Sequence, residues 1–181
     1  DLGDYGTDPV ADQALTTNAN QPRKIIYGES VVGGQIVGVA APTIGKKEHD
    51  IMVVHLAGHP CESVSIYEIE GKTVAELGDA VTMTVYLGNQ TTADSTANTY
   101  INGWTNDHIG YEQTYVVLKI RRDEELFPRG VNECKFIVRG RKVYDPRKDT
   151  TAGGSGAHRP EDSTTWEWSD NPALCAYDYL R

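Results

Sequence analysis

The chain has 181 residues, 39% of them hydrophobic and 24% charged, with 18 glycines and a net charge of −9. That length suffices for one or two domains with a buried core, and the apolar share with so many glycines predicts much loop and turn. No run of about 18 apolar residues exists to form a membrane-spanning helix. Three widely separated cysteines (Cys61, Cys134, Cys175) exclude CxxC redox or zinc motifs and are expected to be reduced and buried, as suits assembly in a reducing cytoplasm.

Residues 1–21, rich in Asp, Thr, Asn and Ala, show no sustained period and read as an extended lead-in from an upstream domain. The chain begins at Asp1 without Met and stops inside a helical pattern, so both ends are expected to be cuts through a longer polypeptide. RKIIY, a turn at Gly28-Glu29-Ser30 and VVGGQIVGVAA predict a β-hairpin. Gly34 and Gly38, expected to share a face with Ile36, mark tight sheet packing rather than a phosphate cradle, since no GxGxxG or Walker spacing accompanies them. HDIMVVHLAG is apolar on both faces and predicts a central strand. SVSIYEIEGKTV predicts a hairpin turning at Glu70-Gly71. In AVTMTVYLG, Val81, Met83, Val85 and Leu87 alternate with Thr82, Thr84 and Tyr86, a strand with one buried face.

Between Asp94 and His108 the period switches to helical, with Ala97, Ile101, Trp104 and His108 on one stripe and Asp94 or Ser95 as N-cap. TYVVLKIR is again a strand, and FPRG at 127–130 turns the chain back. KFIVRGRKVYDPR predicts a strand that bends at Gly140 through an inserted residue and ends at Asp145-Pro146, because proline donates no ladder hydrogen bond. Residues 148–165, small and polar, predict a mobile loop. Asn171-Pro172 starts a helix along one face of which Ala173, Tyr177 and Leu180 are expected to line up.

The fold class is therefore mainly β: a barrel-like hub segment with an inserted β-rich domain carrying a short helix. Residues 22–47 plus 134–147 form the discontinuous hub segment, 48–133 the insertion with its own core, 148–165 the flexible loop, and 166–181 the start of a C-terminal helical segment.

Little in the chain points to catalysis. His55, His59 and Cys61 are the only close set of metal-ligand residue types, and a strand followed by a turn does not converge them. No GxSxG elbow occurs, and adjacent acids such as Asp123, Glu124 and Glu125 cannot flank a glycosidic bond. Trp166, Trp168, Tyr177 and Tyr179 admit an aromatic sugar platform, with Trp168 packed beneath the following helix as the plainer reading. Residues 121–148 hold nine basic and five acidic side chains, a net +4 that leaves the remainder at −13. That remainder would repel a nucleic-acid backbone, so the basic stripe is expected to meet acidic surface of this chain or of a neighbour, without DNA contact.

Five segments, PRKIIYGESVVGG (22–34), INGWTNDHIG (101–110), LFPRG (126–130), VRGRKVYDPR (138–147) and WSDNPALCAYDYL (168–180), occur in the order in which the chain resembles the central tail-tip, or host-specificity, protein of lambda-like long-tailed phages. The resemblance implies a phage or prophage virion protein of the tail tip or baseplate hub, acting in tail assembly, host attachment and DNA delivery, and not an enzyme. It implies a homotrimer in the full-length protein, contacts with other tail-tip and tail-tube proteins, and a host receptor engaged through regions outside this chain. It also implies a virion location after assembly in the bacterial cytoplasm, without cofactor or membrane insertion. Arg139, Arg141, Lys142 and Arg147 are the expected subunit contacts. A stand-alone carbohydrate- or receptor-binding β module is the alternative.

Overall fold

The computed structural model describes residues 14–18 and 20–181. Its strands are β1 (Glu29–Val32), β2 (Gln35–Ala40), β3 (Thr43–Ile44), β4 (Lys47–Ala57), β5 (Ser63–Ile69), β6 (Val81–Leu87), β7 (Thr114–Arg121), β8 (Cys134–Arg139), β9 (Lys142–Val143) and β10 (Glu167–Trp168). Three short helices accompany them: α1 (Val74–Leu77), α2 (Ser95–Tyr100) and α3 (Pro172–Leu180). The fold is mostly β, as expected, but the sheets are open and no closed barrel forms among the described residues.

One sheet runs β2-β4-β7-β6 with β3 added on β4; a second runs β1-β8-β5, and β9 pairs with β10. Strand β4 is central, as its two apolar faces require, and is antiparallel to both β2 and β7. Met52, Val54 and Leu56 of β4 join Val116, Leu118 and Ile120 of β7 and Phe136 and Val138 of β8 in the core between the two sheets. Ile51 and Val53 face the opposite way, onto Ala97, Ile101 and Trp104 around α2. Each side chain of this size taken fully from water contributes about 1.5–3 kcal/mol, so β4 gains on both faces.

Strand pairing crosses the boundaries drawn from the sequence. Strands β1 and β8 do pair, Ser30 opposite Val138. The other edge of β8 is taken by β5, with Val64 opposite Val138, and β2 leaves for the β4 sheet. The core expected to belong to 48–133 alone also contains Ile26, Val32, Cys134, Phe136 and Val138. The expected hairpin about Gly28 does not form, because residues 26–28 bond across to Gly140 and Arg141. Periodicity reports which face of a strand is buried, and carries nothing about which strand lies beside it.

Smaller departures have local causes. A bulge between Ile36 and Gly38 turns Gly38 to the α2 side, where a Cβ would lie 3.1 Å from the Trp104 ring; Gly34 lies against Val54 and Leu56. The two glycines thus serve close packing, but on opposite faces. Glu70 and Gly71 both take positive φ, as a tight type I′-like turn demands. The chain then enters α1, with Thr73 and Glu76 forming a capping box, so only Ile69 and Lys72 pair across the turn. The helix foreseen for 94–108 stops at Tyr100. Asp94 caps it by accepting from the Ala97 N–H at 2.6 Å, and the chain leaves helical geometry at Ile101, whose backbone is extended.

Candidate functional site

A polar junction lies where residues 26–28, the 58–62 loop, the bend after β8 and helix α3 meet. A Cβ at Gly140 would sit 2.0 Å from Ile26 O, so only glycine lets the two backbones touch. There the Gly140 N–H donates to Gly28 O and the Arg141 N–H to Ile26 O, each at 2.8 Å. Arg141 leaves this bend toward α3, and its Nε lies 3.3 Å from Asp178, whose side chain is only 4% exposed. The Tyr27 hydroxyl donates to the same carboxylate at 2.7 Å. Burial, and then this hydrogen bond, push the Tyr27 hydroxyl up to about 12. Asp178 therefore ties α3 to two separate stretches of the sheet layer.

His59 fastens the same segment from the other side. Its Nε2 accepts from the Ile26 N–H at 2.8 Å, which requires that Nδ1 carry the proton and donate to Pro60 O, also 2.8 Å away. The Ile26 N–H thus holds the imidazole neutral, and Pro60 O fixes which nitrogen carries the proton. Burial, with Arg141 nearby, holds its pKa below the ordinary histidine value. Cys61 Sγ lies 3.8 Å from Nδ1, and burial pushes this thiol up to about 11, so it is no thiolate at neutral pH. His55 lies apart on β4, opposite Gln35 and Tyr115. His55, His59 and Cys61 do not converge, and no group of three metal-ligating side chains occurs among the described residues. Cys61 and Cys134 are buried and Cys175 half-buried; all three are free thiols.

The four basic residues singled out in the sequence do not form one patch. Arg139 pairs with Glu29 at 2.9 Å and lies over the Trp168 ring, 5.0 Å from its centroid. Lys142 pairs with Glu62 at 3.1 Å, and Arg147 forks onto Asp145 through Nε and Nη2. Arg141 and Lys142 line a half-open cleft of about 670 Å³ with His59, Glu62, Leu87 and Trp166, while Arg147 borders a separate shallow hollow beside Gly153 and Gly154. Four more residues of the basic stripe are likewise matched within the chain: Arg121 to Asp79, Arg122 to Glu48 and Asp50, Lys135 to Glu68 and Glu133, and Lys148 to Glu167. Exposed pairs of this kind contribute about 0–1 kcal/mol each.

Residues 148–165, expected to lack fixed partners, fold around a buried carboxylate. Asp149, 0% exposed, accepts from the Thr151 N–H and hydroxyl, the Tyr144 hydroxyl and Arg159. The Thr151 hydroxyl, and then the Tyr144 hydroxyl, lower its pKa most, to about 2. His158, 3% exposed, accepts from the Asp145 N–H. A signal for this order was present: Asp145, Asp149 and Asp162 each accept from the backbone N–H two residues on, which is how aspartate builds a turn. A scan for apolar period does not register it.

Helix α3 turns inward a different face from the one that carries Ala173, Tyr177 and Leu180. Leu174, Cys175 and Asp178 are turned inward, whereas Ala173, Tyr177 and Leu180 are exposed. Nothing in the local sequence marks an aspartate as the buried contact. The tryptophans do not form a joint platform: Trp168 donates to Gly28 O at 3.3 Å, Trp166 to Arg159 O at 2.8 Å, and Arg181 lies over Trp166 as Arg139 lies over Trp168.

No protein-family model matches the chain, and no curated protein does. Among solved structures, a chain described as belonging to the virion of a native gene transfer agent (GTA) particle has the same fold, with a TM-score of 0.55 over 90% of this chain at 16% identity. This protein spans 36% of that chain's length.

Proposed function

We propose that this chain is a structural part of a phage-like virion, acting by assembly and not by catalysis, and that its place is the tail tip or baseplate hub. The observation that carries the reading is the fold shared over 90% of the chain with a component of a gene transfer agent virion. The five ordered segments that resemble the tail-tip protein of long-tailed phages support the finer placement. In keeping with assembly, the buried His59 and Asp178 at the junction are engaged in backbone hydrogen bonds and an ion pair that join separate segments of the chain. The full-length protein would then form a homotrimer that contacts tail-tube and tail-tip neighbours, with Arg139, Arg141, Lys142 and Arg147 at or near subunit boundaries and the host receptor engaged elsewhere. Such a protein resides in the virion after assembly in the bacterial cytoplasm.

Gradient-purified particles from the producing strain, decorated with antibody raised against this chain and viewed by electron microscopy, test the proposal. Label at one end of the tail is the expected result. Absence of the chain from particles overturns the virion assignment, and label on the head overturns the tail-tip placement.

A further inference from the structure

The segment that enters the fold lies along the edge of β2. The Thr16 N–H donates to Gly34 O at 3.1 Å, and the Ile36 N–H to Thr16 O at 2.8 Å. Gln35 Nε2 donates to Asn18 O at 2.8 Å. Just beyond, Gln21, Pro22 and Lys24 face Gly34, Gln35, His55 and Leu56 across a small, partly open space that offers about 10 Å³ to the centre of a water-sized molecule. Gln21 and His55 both line this space, and Gln21 Oε1 and His55 Nε2 are both shut off from bulk solvent and have no protein hydrogen-bond partner. His55 as a whole is 9% exposed, and its remaining polar contact is with the Gln113 side chain.

We propose that this cavity is a binding site for a single water molecule, which bridges Gln21 Oε1 and His55 Nε2 and fastens the incoming segment to the central strand. The volume suits one water and nothing larger. An amide oxygen can only accept, whereas an imidazole nitrogen accepts or donates according to its tautomer. Water satisfies both, since it donates to the amide and pairs with the ring in either role. A small cation is disfavoured, because Arg23 already acts against positive charge at His55. An apolar occupant would leave both atoms buried and unpaired. A bridging water is nearly as good as a direct hydrogen bond in enthalpy, so the site adds a contact beside the three direct ones at Thr16, Ile36 and Gln35. It is independent of the assembly reading, because it concerns how the chain holds its own entering segment.

The test is solution NMR on the whole chain, reading water-to-ring cross-relaxation at His55 and hydrogen exchange at Thr16, Ile36 and Val54. The wild type should show a long-lived water at the His55 ring. Gln21→Met should abolish that signal and speed exchange at Thr16 and Ile36 by about tenfold, leaving Val54 unchanged, because only the local latch opens. Gln21→Glu, which keeps an acceptor oxygen, should retain the water. Absence of a long-lived water in the wild type overturns the proposal, as does a Gln21→Met protein whose Thr16 and Ile36 amides exchange at the wild-type rate. Should Gln21→Met unfold globally, seen at Val54, the wild-type water signal alone decides.

Discussion

Replacing His59 by leucine isolates the contact that holds residues 26–28 to the 58–62 loop. The substitution keeps a side chain of similar bulk but removes the acceptor for the Ile26 N–H and the donor to Pro60 O, both at 2.8 Å. A buried backbone group left without its partner costs about 1–3 kcal/mol. Pro60 O, beside the cleft, is only partly shielded and recovers some of this from water, so His59→Leu should lower stability by about 2–4 kcal/mol. Urea unfolding followed by tryptophan fluorescence, with an unchanged m-value, reads the difference. The pH dependence provides a second check. In the fold the His59 pKa lies below its ordinary value, chiefly through burial, and His55 is displaced in the same direction for the same first cause. A depressed histidine pKa means that the unfolded chain takes up the proton first. The contribution is therefore intact above about pH 6.5, the unperturbed histidine value, and declines as pH falls below it. Wild type should lose stability between pH 7 and 5, and His59→Leu should lose less over the same range. A variant within about 0.5 kcal/mol of wild type at pH 7, or a wild type indifferent to pH over this window, refutes the reasoning.

Three further outcomes follow from the same junction and loop. Asp178→Ala removes the partner of Arg141 and Tyr27. Because Arg141 is 40% exposed, the loss should be about 2 kcal/mol, below the 3–5 kcal/mol for breaking a fully buried pair, and α3 amides should exchange faster than those of β4. Gly140→Ala places a methyl 2.0 Å from Ile26 O; the β8 bend must open, and thermal unfolding should show a loss of more than about 3 kcal/mol or no folded protein. Asp149→Asn weakens the bonds that order 148–165, so limited proteolysis should cut there first while the β4 sheet stays protected. In wild type the depressed Asp149 pKa means that its contribution holds above the ordinary aspartate value near 4 and fades as pH drops toward 2; loop cleavage unaffected by the substitution would contradict this role.

The sequence by itself determined the mostly β class and the identity of its strongest strands. Alternation marked β6 and β8 and continuous apolarity marked β4, because those patterns state directly how many faces of a strand avoid water. Asn171-Pro172 likewise sufficed for the start of α3, and Asp94 for the start of α2, since a cap is a bond between near neighbours. Only the tertiary structure decided the rest. Whether β8 takes β1 alone or β1 and β5 together depends on contacts more than sixty residues apart in sequence, and no local pattern encodes them. The order of 148–165 depends on Asp149 meeting Tyr144 and Arg159, polar contacts that a search for apolar surface passes over. Asp178 looks like a solvent-facing residue until Arg141 and Tyr27 arrive from elsewhere in the fold. A buried charge is specified by its partners, and those partners are brought together only by the completed chain.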